Sequence, residues 1–181
     1  MHPDYRFDLD KHLGDVAALS VLNLGAGHCS SPISEQFTKL LCAHLVNVEV
    51  YKPVFDELAG LTFVSPATNI NMDVLNALPQ IPDESQDVVV MLDVLEHFTK
   101  EDGAHVLGEL KRIARKKVVV FVPCKECPQG EYEGNPYQRH LSTWVPADFG
   151  AEWQAEVYPG FHTHVNPPAD AGWFTWTRGE G

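Results

Sequence analysis

Short apolar runs alternate along this chain with segments in which apolar residues recur every three or four positions. Each run has a length suited to one β-strand, and the runs cover residues 20–24, 44–50, 68–72, 87–92 and 118–122. Two further strand patterns close the chain, at residues 153–158 and 172–177, with a proline-rich connection between them. Strand and helix therefore alternate until the last two strands, which are joined by a loop.

Helices are predicted between most of the runs. The first follows Ser31, an N-cap candidate, with Pro32 in its first turn, and its apolar face includes Phe37 and Leu41. Another follows the N-cap candidate Thr99, and shorter helical stretches cover residues 10–19 and 52–58. This succession predicts an α/β, doubly wound fold: a mostly parallel sheet with helices on both faces and an antiparallel last strand.

The composition fits one domain over residues 1–181, with its core at about residues 20–177. No apolar run approaches the roughly 18 residues needed to span a membrane, and the N-terminus lacks a signal pattern. Four cysteines without such a signal predict a cytoplasmic location. The net charge of -12 weighs against sequence-independent binding to nucleic acid, so DNA is not an expected partner.

The first strand runs directly into a glycine-rich turn. Gly25 and Gly27 allow the backbone to turn tightly, and the following helix directs its N-terminal dipole at a ligand there. Ser30 stands where the dinucleotide fingerprint has its third glycine. Glu49 closes the second strand, 24 residues after Gly25, where a carboxylate can accept hydrogen bonds from ribose hydroxyls. These residues predict a nucleotide-type cofactor site, although a plain glycine turn and a solvated glutamate explain the same pattern.

Taken with other motifs, these features resemble the class I S-adenosylmethionine (SAM)-dependent methyltransferases, of the small Rossmann-like, type-11-like kind. The resemblance covers most of the chain and rests on residues 22–27, Glu49, Asp73, and residues 87–90, 93–97 and 135–144. Two positions depart from the family pattern. Asn23 stands where the family usually has an acid, and Cys29 where a third glycine often sits.

The resemblance implies a SAM-dependent methyltransferase with SAM as its cofactor. Its cofactor-binding residues would be Asn23, Gly25, Ala26, Gly27, Glu49, Asp73, Val74, Asp93 and Val94. The glycine turn would line the methionine and ribose portions, and Glu49 would hold the ribose hydroxyls. Asp73 and Val74 would contact the adenine, while Asp93 and Val94 would border the methionine moiety and the reacting methyl.

Methyl transfer from a sulfonium requires chiefly that the acceptor be aligned and water excluded. His97 and His140 are the candidates for a catalytic general base, although local hydrogen bonding or loop bracing explains either residue as well. The long segment 124–147 predicts an acceptor site with Tyr137, His140 and Trp144 as substrate-binding residues. A small molecule is the expected acceptor, and protein or RNA acceptors stay open.

Two other functions compete with this interpretation. A nicotinamide (NAD)-dependent oxidoreductase is weakened by the incomplete glycine motif and the hairpin-like ending. A catalytically silent partner module with the same fold is favoured if Trp144, Trp153 and Trp173 form one exposed patch. Cys124 and Cys127 form a Cys-x-x-Cys pair, but a zinc site would need histidines from distant segments, so no metal site is predicted.

Overall fold

A computed structural model describes residues 5–27 and 32–179, with side chains for residues 9–27 and 35–179. The strands are β1 (Ser20–Leu24), β2 (His44–Glu49), β3 (Ala67–Asn71), β4 (Gln86–Leu92), β5 (Ala114–Pro123), β6 (Trp153–His162) and β7 (Ala169–Thr177). The α-helices are α1 (Tyr5–Leu13), α2 (Pro32–Lys39), α3 (Lys52–Ala59), α4 (Val74–Ala77) and α5 (Lys100–Ile113). Single turns of 3-10 helix cover Leu78–Gln80, Leu95–His97, Pro136–Gln138 and Pro146–Asp148.

The seven strands form one sheet in the order β3-β2-β1-β4-β5-β7-β6. All neighbouring pairs from β3 to β5 are parallel, while β7 lies antiparallel to both β5 and β6. The predicted α/β fold with a mostly parallel sheet and an antiparallel last strand is therefore confirmed. The strand order reverses between β1 and β4, and in open parallel sheets ligands bind at such a switch point, beyond the carboxyl ends of the strands.

Two hydrophobic clusters cover the two faces of the sheet. Along β1 the side chains alternate, so that Leu22 and Leu24 pack with α4 and α5 on one face while Val21 packs with α1 on the other. The central strands β4 and β5 are buried on both faces, which explains their continuous apolar sequences. Packing of the core thus aligns the carboxyl ends of the strands, so that the loops that follow them lie together at one edge of the sheet.

Several element boundaries differ from the sequence predictions. Helix α1 lies earlier than expected and ends before Gly14, whose positive φ of 69° closes the helix. Helix α2 ends at Lys39, so Leu41 is 62% exposed rather than part of an apolar face. The predicted N-cap Ser31 and the positions of Cys29 and Ser30 lie outside the described residues. In segment 124–147 the structure has only short helical turns, one at Pro136–Gln138 and one that begins at its end, Pro146–Asp148.

Candidate functional site

A cavity of about 640 Å3 opens at the carboxyl ends of the parallel strands, at the switch point between β1 and β4. This volume lies within the range of about 300–1,000 Å3 typical of small-molecule sites. The residues that line it and were predicted for the cofactor are Gly25, Ala26, Gly27, Glu49, Asp73, Val74, Asp93 and Val94. The structure therefore brings eight of the nine residues implied by the resemblance to one place.

The glycine turn follows β1 and forms one wall of the cavity. The backbone N–H groups of Gly25 and Ala26 both donate to the Val48 carbonyl, at 2.9 and 3.1 Å. Gly25 has a φ of +73°, and a Cβ atom built on it would lie 2.3 Å from Val94 Cγ2. Only glycine meets both conditions, because other residues are strained at this φ and no side-chain atom fits against Val94.

Glu49 sits at the end of β2 with its carboxylate beside the glycine turn. It is 6% exposed, and its two oxygens accept hydrogen bonds from the backbone N–H groups of Gly27 (3.0 Å) and Tyr51 (2.8 Å). A carboxylate offers about four acceptor positions, so two remain for a ligand. The carboxylate is thus held in a fixed orientation, and it suits a diol such as that of a ribose.

Two further acids follow strands β3 and β4. Asp73 is the N-cap of α4, where its Oδ1 accepts from the Leu75 N–H at 2.8 Å, so the side chain stands at the N-terminal end of that short helix. Asp93 has a positive φ of 51°, which is uncommon outside glycine, and its N–H donates to the Phe121 carbonyl at 2.9 Å. Such a strained backbone at a cavity wall is typical of functional sites.

The charges around the cavity are mostly negative. The carboxylates among its lining residues are Glu49, Asp73, Asp93, Asp102 and Glu131. The arginine among them, Arg139, pairs with Glu131 at 3.1 Å, so it offsets one of these charges. The field in the cavity therefore favours a cationic ligand such as a sulfonium and disfavours a phosphate-rich one.

His97 lines the cavity and His140 does not. His97 closes the 3-10 turn after β4, and its Nδ1 lies 3.1 Å from the Arg139 carbonyl. Burial lowers the pKa of His97 to about 4, since the charged ring loses solvation. The backbone carbonyls of Arg139 and Asp93 raise the pKa in part, and the nearby His140 lowers it further. The His97 ring is therefore neutral at physiological pH.

His140 lies behind His97, with the two rings in an edge-on arrangement 5.0 Å apart. Its Nδ1 faces the Cys127 carbonyl, and its Nε2 lies 3.9 Å from the carboxylate of the buried Glu96. Burial raises the pKa of Glu96, and the nearby Asp93 raises it further. His140 was predicted to touch substrate, but the fold places its ring outside the lining of the cavity and against segment 124–130.

Trp144, which was predicted to bind substrate, lies in the core and not in the lining of the cavity. The indole is 1% exposed and packs in the core against Phe149, with its N–H donating to Ser142 Oγ at 2.9 Å. Its slot exists because α5 has glycine at position 103, where a Cβ would lie 2.4 Å from Trp144 Cζ2. A large aromatic side chain gains more by filling such a slot than by lining a wet cavity.

Asn23, which was predicted to contact the cofactor, is not among the residues that line the cavity. Its side-chain Nδ2 donates to Asn47 Oδ1 at 3.0 Å, and Asn47 Nδ2 donates to Asn69 Oδ1 at 2.9 Å. The three residues are register partners across β1, β2 and β3. They form an asparagine ladder that satisfies polar groups inside the sheet, which explains an amide at this position.

Sequence reasoning missed several residues at the mouth of the cavity. Tyr137, a predicted substrate-binding residue, lines the mouth and is 48% exposed. The missed lining residues nearby are Phe98, Thr99, Asn135, Gln138, Arg139 and Leu141. Their signal was present, since they flank Tyr137 and His97 in sequence, but which side chains of a loop face inward depends on how the loop packs.

The tryptophans do not form the exposed patch that a partner module would present. Trp144, Trp153 and Trp173 are 1%, 8% and 0% exposed, and they belong to the core on the two faces of the sheet. The observation that would have favoured the silent partner module is therefore missing from the described residues. Within the same residues, no helix is long and apolar enough to cross a membrane.

Comparisons with known proteins agree with this geometry. A family model described as a methyltransferase domain matches residues 22–122. Among solved structures, a SAM-dependent methyltransferase from Archaeoglobus fulgidus is similar, with 13% identity, a TM-score of 0.64, and coverage of 96% of this chain and 92% of that chain. A 1,6-didemethyltoxoflavin-N1-methyltransferase from Burkholderia thailandensis has 16% identity, a TM-score of 0.66, and coverage of 97% and 76%.

A third similar structure is a small RNA methyltransferase, HEN1. It has 15% identity and a TM-score of 0.65, and the similarity covers 97% of this chain but 25% of that one. The search among curated proteins found no match. At these low identities the solved structures establish a shared fold, and their acceptors range from a small molecule to RNA.

Proposed function

Because this chain belongs to the methyltransferase-domain family, we propose that it transfers a methyl group from SAM to a small-molecule acceptor at the mouth of the cavity. Its cofactor is SAM, which supplies an activated methyl on a sulfonium. We favour a small molecule over a nucleic acid as the acceptor because carboxylates are in excess around the cavity and would repel the phosphates of a nucleic acid.

The cofactor side of the cavity carries groups that suit SAM. The absence of a side chain at Gly25 lets Val94 pack directly against the turn, and Glu49 presents two unused acceptor positions next to Gly27. Asp73 at the start of α4 and Asp93 after β4 add negative charge at either end of the site. Together, the acceptor positions of Glu49 and the negative charges of Asp73 and Asp93 suit a ligand that carries a ribose diol and a positively charged sulfur.

The acceptor side is formed by His97 together with Tyr137, Gln138, Arg139 and Leu141. His97 Nδ1 donates a hydrogen bond to the Arg139 carbonyl, so Nε2 is the nitrogen of the neutral ring that can accept one. A group with a pKa of about 4 is a weak base at neutral pH. His97 therefore acts mainly by accepting a hydrogen bond that aligns the acceptor with the methyl, and His140 behind it is a positioning residue.

Alignment of this kind is the main catalytic contribution such a site needs, since oriented reactants can lower a barrier by roughly 7–11 kcal/mol. The aromatic ring of Tyr137 and the aliphatic side chain of Leu141 line the cavity and give its acceptor side an apolar surface. We place the protein in the cytoplasm, because the thiols of Cys42, Cys124 and Cys127 are free and suit a reducing compartment.

Calorimetric titration with SAM, and separately with NAD, tests the cofactor side. We expect SAM to bind and NAD not to bind. Glu49→Gln should weaken SAM binding by roughly 1.5–3 kcal/mol, the cost of losing a charged hydrogen bond. Glu57→Gln, on the exposed face of α3, is the matched control and should bind SAM as the wild type does. Equal affinity in both variants would remove Glu49 from the site.

A methyl-transfer screen tests the acceptor side. Neutral and cationic amines, phenols and heterocycles are compared with short RNA oligonucleotides, using release of S-adenosylhomocysteine as the signal. Activity on a small molecule that falls in His97→Ala, with SAM affinity retained, would support the proposal. Turnover of RNA but of no small molecule would refute the proposed acceptor class and leave the methyltransferase assignment intact.

A further inference from the structure

A second group of reactive side chains lies outside the cavity, where the loop after β5 meets the β6–β7 hairpin. The Sγ atom of Cys127 and one ring nitrogen each of His162 and His164 all lie within 4.8 Å of one another. Cys127 follows β5, His162 is the last residue of β6, and His164 stands in the turn toward β7. We propose that Cys127, His162 and His164 form a zinc-binding site that ties this loop to the hairpin.

The distances suit a tetrahedral ion. Cys127 Sγ and His164 Nε2 are 3.8 Å apart. Zn–S bonds of about 2.3 Å and Zn–N bonds of about 2.0 Å at a tetrahedral angle place such atoms about 3.5 Å apart, so a small shift suffices. A donor set of one thiolate and two imidazoles binds zinc in preference to magnesium or calcium. The fourth position would be left for water.

An independent observation points to a missing ligand at this place. His162 Nε2 is buried, yet it has no hydrogen-bond partner among the residues that the structure describes. An unsatisfied buried polar atom is costly and rare, and coordination of a cation would satisfy it. His164 is exposed, which provides a route by which an ion can enter.

The binding step balances in protons. The Cys127 thiol gives up its proton to solvent as the Zn–S bond forms, and the two imidazoles coordinate in their neutral form.

Two neighbouring alternatives are less suited to zinc. Cys124 completes the Cys-x-x-Cys pair in sequence, but its Sγ lies 3.6 Å from the Val122 carbonyl and is not part of the group. Glu96, His97 and His140 also bring ligand atoms within 4.8 Å of one another. There the Nδ1 atoms of both histidines already face main-chain carbonyls, and no thiolate is present.

The test uses the full chain without a polyhistidine tag. Zinc content is measured after purification, and the chelator-stripped protein is titrated with Zn2+ and with Co2+. We expect one equivalent of zinc to bind and the cobalt form to show a thiolate-to-metal charge-transfer band. Cys127→Ser should abolish that band, and His164→Asn, an exposed change that the fold tolerates, should weaken zinc binding at least tenfold.

Two control variants make the outcome decisive. Cys124→Ser and His105→Ala should bind zinc as the wild type does, since neither residue belongs to the group. No binding by the wild type, or binding that Cys127→Ser and His164→Asn leave unchanged, would overturn the proposal. Loss of binding in Glu96→Gln alone would place the ion at the other cluster and also overturn it. SAM binding measured on the same samples separates this outcome from the proposed methyl transfer.

Discussion

Replacing Gly25 by alanine tests the reasoning about the cofactor turn most directly. The new Cβ would lie 2.3, 3.1 and 3.3 Å from Cγ2, Cγ1 and Cβ of Val94. Val94 cannot rotate away freely, because valine is stiff at χ1 and its own Cβ is among the close atoms. The strained φ of +73° adds roughly 1–2 kcal/mol, and the overpacking typically adds about 1–3 kcal/mol.

We therefore expect Gly25→Ala to lose about 2–5 kcal/mol in its free energy of unfolding, measured by urea denaturation, and to bind SAM more weakly by calorimetry. Gly108→Ala is the matched control, because nothing lies within 4 Å of a Cβ there and the position is inside α5. Alanine should stabilise that helix by roughly 0.5–1 kcal/mol. If Gly25→Ala were as stable as the wild type and bound SAM equally well, the close packing of the turn against Val94, and its role in shaping the site, would be refuted.

Three further predictions concern stability. Trp144→Ala should lower the free energy of unfolding by about 3–5 kcal/mol, while the folded variant, titrated by calorimetry, retains its affinity for SAM. Asn47→Ala should cost about 1–3 kcal/mol because it leaves the buried amide of Asn23 without its partner, and intact stability in urea denaturation would contradict the ladder. Burial alone would raise the pKa of Asp87, but hydrogen bonds from Ser20 and the charges of Arg115 and Lys116 lower it overall. The ionised Asp87 carboxylate therefore stabilises the fold at pH values above its pKa in the unfolded chain, and this stabilisation is lost as the pH falls through its lower pKa in the folded protein. The free energies of unfolding of the wild type and Asp87→Asn, measured by denaturation between pH 6 and pH 3, should therefore converge as the pH falls.

Much of the fold could be predicted because it depends on local patterns. The apolar runs of β4 and β5 are long and uninterrupted, which is typical of strands covered on both faces. Helix α5 carries an N-cap at Thr99 whose side chain accepts from the Asp102 N–H, and the structure has that cap. Boundaries were less predictable, as at Leu41, because the end of a helix depends on which residues its neighbours can bury.

The cofactor side of the site was also predictable in large part. Gly25, Glu49 and Asp73 each lie at the end of a strand or within two residues of it, and parallel strands bring their carboxyl ends to one edge of the sheet. The roles of Asn23 and Trp144 were not predictable. One depends on the register of three strands, and the other on a slot opened by a glycine in a distant helix.

Local sequence patterns thus determine the order of strands and helices along the chain, the glycine turn, and the acids at or shortly after the ends of β2, β3 and β4. Tertiary structure alone decided which loop residues face the cavity, that His97 is neutral in front of His140, and that Cys127 meets His162 and His164. The physical reason is the range of the interactions. Periodicity, capping and turn formation act between neighbours in the chain, whereas burial, side-chain pairing across the sheet and metal-ligand geometry depend on residues that only folding brings together.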